Sequence, residues 1–160
     1  MYIHQYLCVM KLEEVLKTSK FNNEVHKATL NILYTSYWMR DHISGSMKEL
    51  GITSEQFNIL RILKGKYPEA MCVKDIAGRM IEKSSNVPRI IDRLVAKELV
   101  SRSTSKEDKR ETLIALTDAG MAMLVKANNM LDTTQSSIIG INNQEALQLN
   151  ILLEKLRKND

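Results

Sequence analysis

The stretch Lys83 to Arg110, KSSNVPRIIDRLVAKELVSRSTSKEDKR, constrains this chain more than any other. Val87, Ile90, Ile91, Leu94 and Val95 recur at helical spacing and define an inward stripe. Ser84 is a good N-cap for that helix, and Pro88 falls in its first turn, where a missing N–H costs least. The opposite face is left to Ser85, Asn86, Arg89 and Arg93. The helix is expected to end near Lys97. Leu99–Ser103 then has strand character, Thr104–Arg110 is a polar tip, and Glu111–Leu116 alternates like a returning strand.

The residues upstream supply two more helices. Gly51 ends a long preceding segment, and Thr53-x-x-Gln56 is a capping box for a helix that buries Phe57, Ile59, Leu60, Ile62 and Leu63. Gly65 and Tyr67-Pro68 stop it. Val73–Ile81 reads as a short helix with Ile76, Ala77 and Met80 inward and Cys72, a poor cap, at its start. Helix, turn, helix, strand, basic tip and strand make a winged helix-turn-helix pattern. Arginine can grip guanine O6/N7, asparagine can grip adenine N6/N7, and both hold phosphates.

Charge placement points the same way. The chain has 23 Lys and Arg against 19 Asp and Glu, a net charge of +4. Lys83–Arg110 contains eight basic and four acidic residues, so the whole excess lies there and the remainder is neutral. Phosphate attraction requires that kind of concentration. A solvated face that happens to be basic is the plainer reading of charge alone.

At SSNVPRIIDRLVAKELVSRSTSKEDKRETLIALTDAG the chain resembles the MarR (multiple antibiotic resistance regulator) family of bacterial transcription factors. The resemblance rests on S-N-V-x-R-x-I-D-R-L, on the D-x-R of Asp108 and Arg110, and on L-T-x-x-G at Leu116, Thr117 and Gly120. It extends more weakly from about Phe21 to the C-terminus. Two positions depart from the family pattern. Pro88 stands where a hydroxyl residue is usual, which removes a group that could contact base or phosphate. Glu98 stands where a glycine usually ends the helix.

The resemblance implies a mainly α fold: a winged helix-turn-helix lobe with a two-stranded β-hairpin wing, plus N- and C-terminal dimerisation helices. Residues 1–160 form a single MarR-like domain in this reading, with 51–117 as the DNA-binding lobe and 1–50 and 118–160 as dimerisation helices. The implied activity is that of a homodimeric, sequence-specific regulator, most simply a repressor, on a palindromic double-stranded DNA operator. Ser85, Asn86, Arg89 and Arg93 would face the major groove, with Ser84 among the DNA-binding residues at the start of the helix. Arg110, its guanidinium held by the Asp108 carboxylate, would enter the minor groove, while Arg102, Lys106 and Lys109 would hold phosphates.

The two ends of the chain carry surplus apolar surface. A long helix is expected from Asn22 or Asn23 to Lys48, with Val25, Ala28, Ile32, Met39 and Ile43 as its stripe. Thr117 caps a helix to about Ser136, Gly140 breaks it, and Asn142-x-x-Glu145 opens a last helix carrying Leu149, Leu152, Leu153 and Leu156. That is more leucine than a helix packed on one side needs, so a subunit partner is expected. Many family members bind small aromatic or phenolic anions near such helices, and Tyr34, Tyr37, Trp38, Arg40 and His42 could line that effector pocket. Packing is the plainer role for those aromatics.

No enzyme constellation accompanies this. His4, His26 and His42 have no Cys or His partner at metal-ligand spacing, and there is no G-x-S-x-G or phosphate loop. No metal or cofactor is expected. No run of about 18 apolar residues suggests a membrane span. MYIHQYLCVM lacks the marks of a secretory signal, Met10 could be the natural start, and Cys8 and Cys72 are too few for a disulfide framework, so a cytoplasmic protein is expected. Two alternatives accompany the main reading: a winged-helix protein-interaction module without DNA binding, and a redox-sensing regulator acting through Cys72.

Overall fold

The computed structural model describes residues 10–157, so the readings made for Cys8 and His4 lie outside the described residues. The chain divides into two compact units, the first ending at His42 and the second beginning at Ile43. No helix among the described residues is long and apolar enough to cross a membrane.

In the first unit a short helix, α1 (Leu12–Leu16), precedes α2 (Glu24–Glu49), which runs on into the second. Asn23 starts α2: its side chain accepts the His26 N–H at 2.8 Å, satisfying one of the donors a helix start leaves open. Glu13 and Lys27 pair at 2.5 Å. That hydrogen bond holds the Glu13 carboxyl below its ordinary pKa and the Lys27 amine above its own. The expected apolar stripe of α2 is covered only in part: Ile32, Met39 and Ile43 are half-buried, while Val25 and Ala28 are exposed. Leu33 and Tyr37 are exposed too, and the buried residues of the helix are Ser46 and Met47, both past the unit boundary.

The second unit holds the core. Helices α3 (Ser54–Lys64), α4 (Val73–Arg79), α5 (Val87–Ala96) and α6 (Asp118–Ile138) surround a small antiparallel sheet of β1 (Met71–Cys72), β2 (Val100–Thr104) and β3 (Thr112–Leu116). The sheet order is β1-β3-β2. The hairpin β2–β3 is the expected wing, with Val100 opposite Leu116 and Thr104 opposite Thr112. The strand β1 extends it, pairing Met71 with Ile114 and Cys72 with Leu113. Ile59, Leu60, Ile76, Ile91, Leu94 and Ile114 are fully buried, so every layer of the lobe meets at one centre.

Local chemistry sets the element boundaries. Thr53 and Gln56 form the reciprocal capping box of α3, and Asn142 and Glu145 that of α7 (Asn143–Leu156). Cys72 caps α4, its sulfur accepting the Asp75 N–H at 3.4 Å. The Thr117 hydroxyl accepts from Gly120 N–H and donates to the Glu98 carbonyl at 2.8 Å, joining the start of α6 to the turn that enters the wing. A Cβ on Gly120 would stand 2.0 Å from the Leu99 carbonyl oxygen, so the L-T-x-x-G glycine lets α6 pack backbone to backbone on the wing's entry.

Glu98 takes the glycine's place with φ of 58°. The turn forms nonetheless: Glu98 N–H donates to Val95 O and Leu99 N–H to Leu94 O, the bonds of a left-handed helix stop. At the other extreme α7 has no buried residue at all.

Candidate nucleic-acid interface

The start of α5 differs from the sequence expectation. Its N-cap is Asn86, whose side-chain oxygen accepts the Arg89 N–H at 3.2 Å; Ser84 instead directs its hydroxyl to Glu82. The reason lies in the core. Val87 is 3% exposed, so the chain must already turn inward there, and the residue just before it becomes the cap. Pro88 then occupies the second helical position, as its missing N–H allows.

From that start the helix has two clean faces. Val87, Ile91 and Leu94 are buried, while Asn86, Arg89, Asp92 and Arg93 are exposed. Ser85 is half-buried, and its hydroxyl is buried without a hydrogen-bond partner among the described residues. It lines a cavity of about 290 Å³ shared with Thr53, Gln56, Asn86, Arg89 and Arg93, between the starts of α3 and α5. At the far end of α5, Lys97 donates to the Gly51 carbonyl and, at 3.4 Å, to the Gln56 side chain. The helix is thereby held at both ends.

The wing is tied to this helix. Arg102 on β2 pairs with Asp92 on α5, an exposed ion pair. The guanidinium expected to hold a phosphate is thus engaged by a carboxylate, a contact ten residues apart that no local pattern announced. Beyond β2, Lys106, Lys109 and Arg110 stand exposed at the tip. Asp108 acts differently from the expectation: its carboxylate accepts the backbone N–H of Arg110 at 2.9 Å. No ion pair joins the two side chains among the described residues. A carboxylate two positions before an N–H closes an Asx-turn more readily than it reaches the end of a long side chain. Ser105, which the sequence did not single out, is 8% exposed amid exposed neighbours.

The residues expected at an effector pocket all lie on α2 in the first unit. Tyr34, Tyr37 and Arg40 are exposed; Trp38 and His42 are half-buried, with ring centres 4.6 Å apart and the His42 Nδ1 2.8 Å from the Trp38 carbonyl oxygen. Of the leucines expected at a subunit contact, Leu149, Leu152 and Leu156 are exposed and Leu153 is half-buried.

A family model described as "MarR family" matches residues 52–112. The HTH-type transcriptional repressor MdtR of Bacillus subtilis is 37% identical over 75 residues, 47% of this chain and 47% of MdtR. The chain spans about half the length of the curated relatives it matches. A MarR transcription factor from Planctomyces limnophilus has a solved structure similar to this one, with 28% identity and a TM-score of 0.67 over 86% of this chain and 99% of that one. A mutant MarR of E. coli, crystallised with operator DNA, shares the fold with a TM-score of 0.73 at 23% identity, over 87% of this chain and 99% of that one.

Proposed function

The chain belongs to the MarR family, and from that premise we propose that it is a sequence-specific, DNA-binding transcriptional regulator acting as a homodimer. One observation carries the reading. The helix α5 turns its whole apolar stripe inward and leaves Asn86, Arg89 and Arg93 exposed, joined through Asp92 and Arg102 to a wing whose tip bears Lys106, Lys109 and Arg110. Such a face suits the major groove, and an exposed arginine on a hairpin suits a narrow minor groove. The DNA-bound structure of the same fold supports this assignment.

Two lobes with recognition helices about 34 Å apart would meet successive major grooves on one face of a palindrome. The exposed leucines of α7 and apolar residues of α2 are the surfaces we assign to the subunit contact. Repression, the role in MdtR's name, follows if the operator overlaps a promoter. A small aromatic or phenolic anion bound near Tyr34, Tyr37, Trp38, Arg40 and His42 would release it by changing the spacing of the two helices. Such a regulator works where the DNA is, in the cytoplasm.

Selection of bound fragments from the organism's own genome tests the reading. Enrichment of one palindrome, with affinity falling steeply as salt rises, is expected. Recovery of fragments with no common sequence, at every salt concentration, would remove sequence-specific regulation.

A further inference from the structure

We propose that Ser105 is a positioning residue for Arg110: its buried hydroxyl, together with the Asp108 carboxylate, locks the backbone of the wing tip and so aims the guanidinium before DNA is met. The inference rests on the reading of this hairpin as a DNA-contacting wing. Ser105 Oγ accepts two backbone N–H groups, from Glu107 and Asp108, each at 3.3 Å. Its own N–H donates to the Glu111 carbonyl at 3.0 Å, and Glu111 N–H donates to the Asp108 carbonyl at 2.9 Å. Asp108 Oδ1 then takes the Arg110 N–H.

These bonds interlock. The serine fixes residues 107 and 108, and the carboxylate so placed fixes 110. Residues 106–111 are all exposed, so no apolar packing competes as the source of order in the loop. Unheld, an exposed loop of this kind loses conformational entropy when a ligand orders it, and affinity falls accordingly. The clasp also accounts for an acidic group at a tip meant to approach phosphates. Its charge is unfavourable there, but its oxygen closes the turn.

The chemistry separates this role from an ion pair. Asparagine supplies the same acceptor oxygen without charge, so Asp108→Asn serves a backbone clasp and fails a guanidinium pair. The test is fluorescence anisotropy of the full chain on the operator duplex recovered by selection, at fixed salt. Ser105→Ala is expected to weaken binding roughly three- to tenfold, and Ser105→Thr to restore it. Asp108→Asn should bind at least as well as the unsubstituted protein, and Asp108→Ala less well. Because the serine acts through Arg110, Ser105→Ala should add little once Arg110→Ala is present.

Additive losses in that double variant would overturn the positioning role and leave the wing reading standing. Full affinity in Arg110→Ala would overturn both. A loss in Asp108→Asn equal to that in Asp108→Ala would overturn the clasp even if Ser105→Ala failed to fold. Amide exchange gives a DNA-free readout: the Glu107 and Asp108 N–H groups should be protected, and lose protection in Ser105→Ala. Equal exchange in the two proteins would sink the clasp.

Discussion

The helices α5 and α7 are both rich in branched apolar residues, yet they meet opposite fates. In α5, Val87, Ile91 and Leu94 vanish into the core, Ile90 and Val95 pack half-buried against it, and the outer face is left to Arg89, Asp92 and Arg93. In α7 nothing is buried, and Leu147, Leu149, Ile151, Leu152 and Leu156 are each at least 44% exposed. The first helix is complete within one chain. The second presents the open apolar face that we assign to the subunit contact, because an apolar surface of that extent is rarely left to water. The lesson is that surplus hydrophobicity in a sequence counts partners, whereas a single clean stripe counts faces.

Four substitutions of decreasing effect would undo the contrast between the two helices. Leu152→Glu with Leu156→Glu places two charges on the open face of α7. A monomer or an unstable chain is expected by light scattering, and any folded monomer should bind the full palindrome roughly 10²–10⁴-fold more weakly. A folded monomer with undiminished palindrome affinity would show that α7 is not the subunit contact. Ile91→Ala attacks the closed face of α5 instead. It should cost about 2–5 kcal/mol of folding stability in denaturant titration while leaving the oligomeric state of the folded fraction unchanged.

Asn86 sharpens the α5 side, since it is both cap and candidate base reader. Asn86→Ala should lose about 1 kcal/mol of stability, and Asn86→Ser should recover most of it. If the amide also reads bases, the serine variant will be stable but relaxed in sequence preference; unchanged preference would confine Asn86 to capping. The smallest effect is expected at the exit of the same helix. Glu98→Gly relieves a side chain at positive φ and should raise stability by about 0.5–1 kcal/mol, read as a modest rise in thermal midpoint.

What was legible in the sequence was what neighbours in sequence decide. Thr53 with Gln56, Asn142 with Glu145, and Thr117 ahead of Gly120 all act within one helical turn, and each was found where the pattern put it. The stripe of α5 was equally plain, because burial alone sets its period. The start of that helix was not. Ser84, Ser85 and Asn86 are all competent caps, and only the depth at which Val87 must bury selects the third. The strand β1 has two residues, too few to show alternation, and exists because β3 is there to pair with it.

The interface shows the same division. Arg89, Arg93 and the tip cations could be named from composition and spacing. The pairing of Arg102 with Asp92 and the hold of Lys97 on Gly51 join residues that only the folded lobe makes neighbours. Ser105 carried no signal, being one serine among several in a polar stretch.

The contact between Gly120 and Leu99 has a genetic consequence. A missense change of one base in a glycine codon always adds a Cβ, whichever base changes. At this position the obstruction is a backbone carbonyl 2.0 Å away, which cannot rotate aside as a side chain would. Position 120 therefore has no mild missense neighbour. In a saturation library scored for loss of regulation, its substitutions should be depleted from the functional pool as uniformly as stop codons, although the residue touches neither DNA nor effector in any reading of the interface.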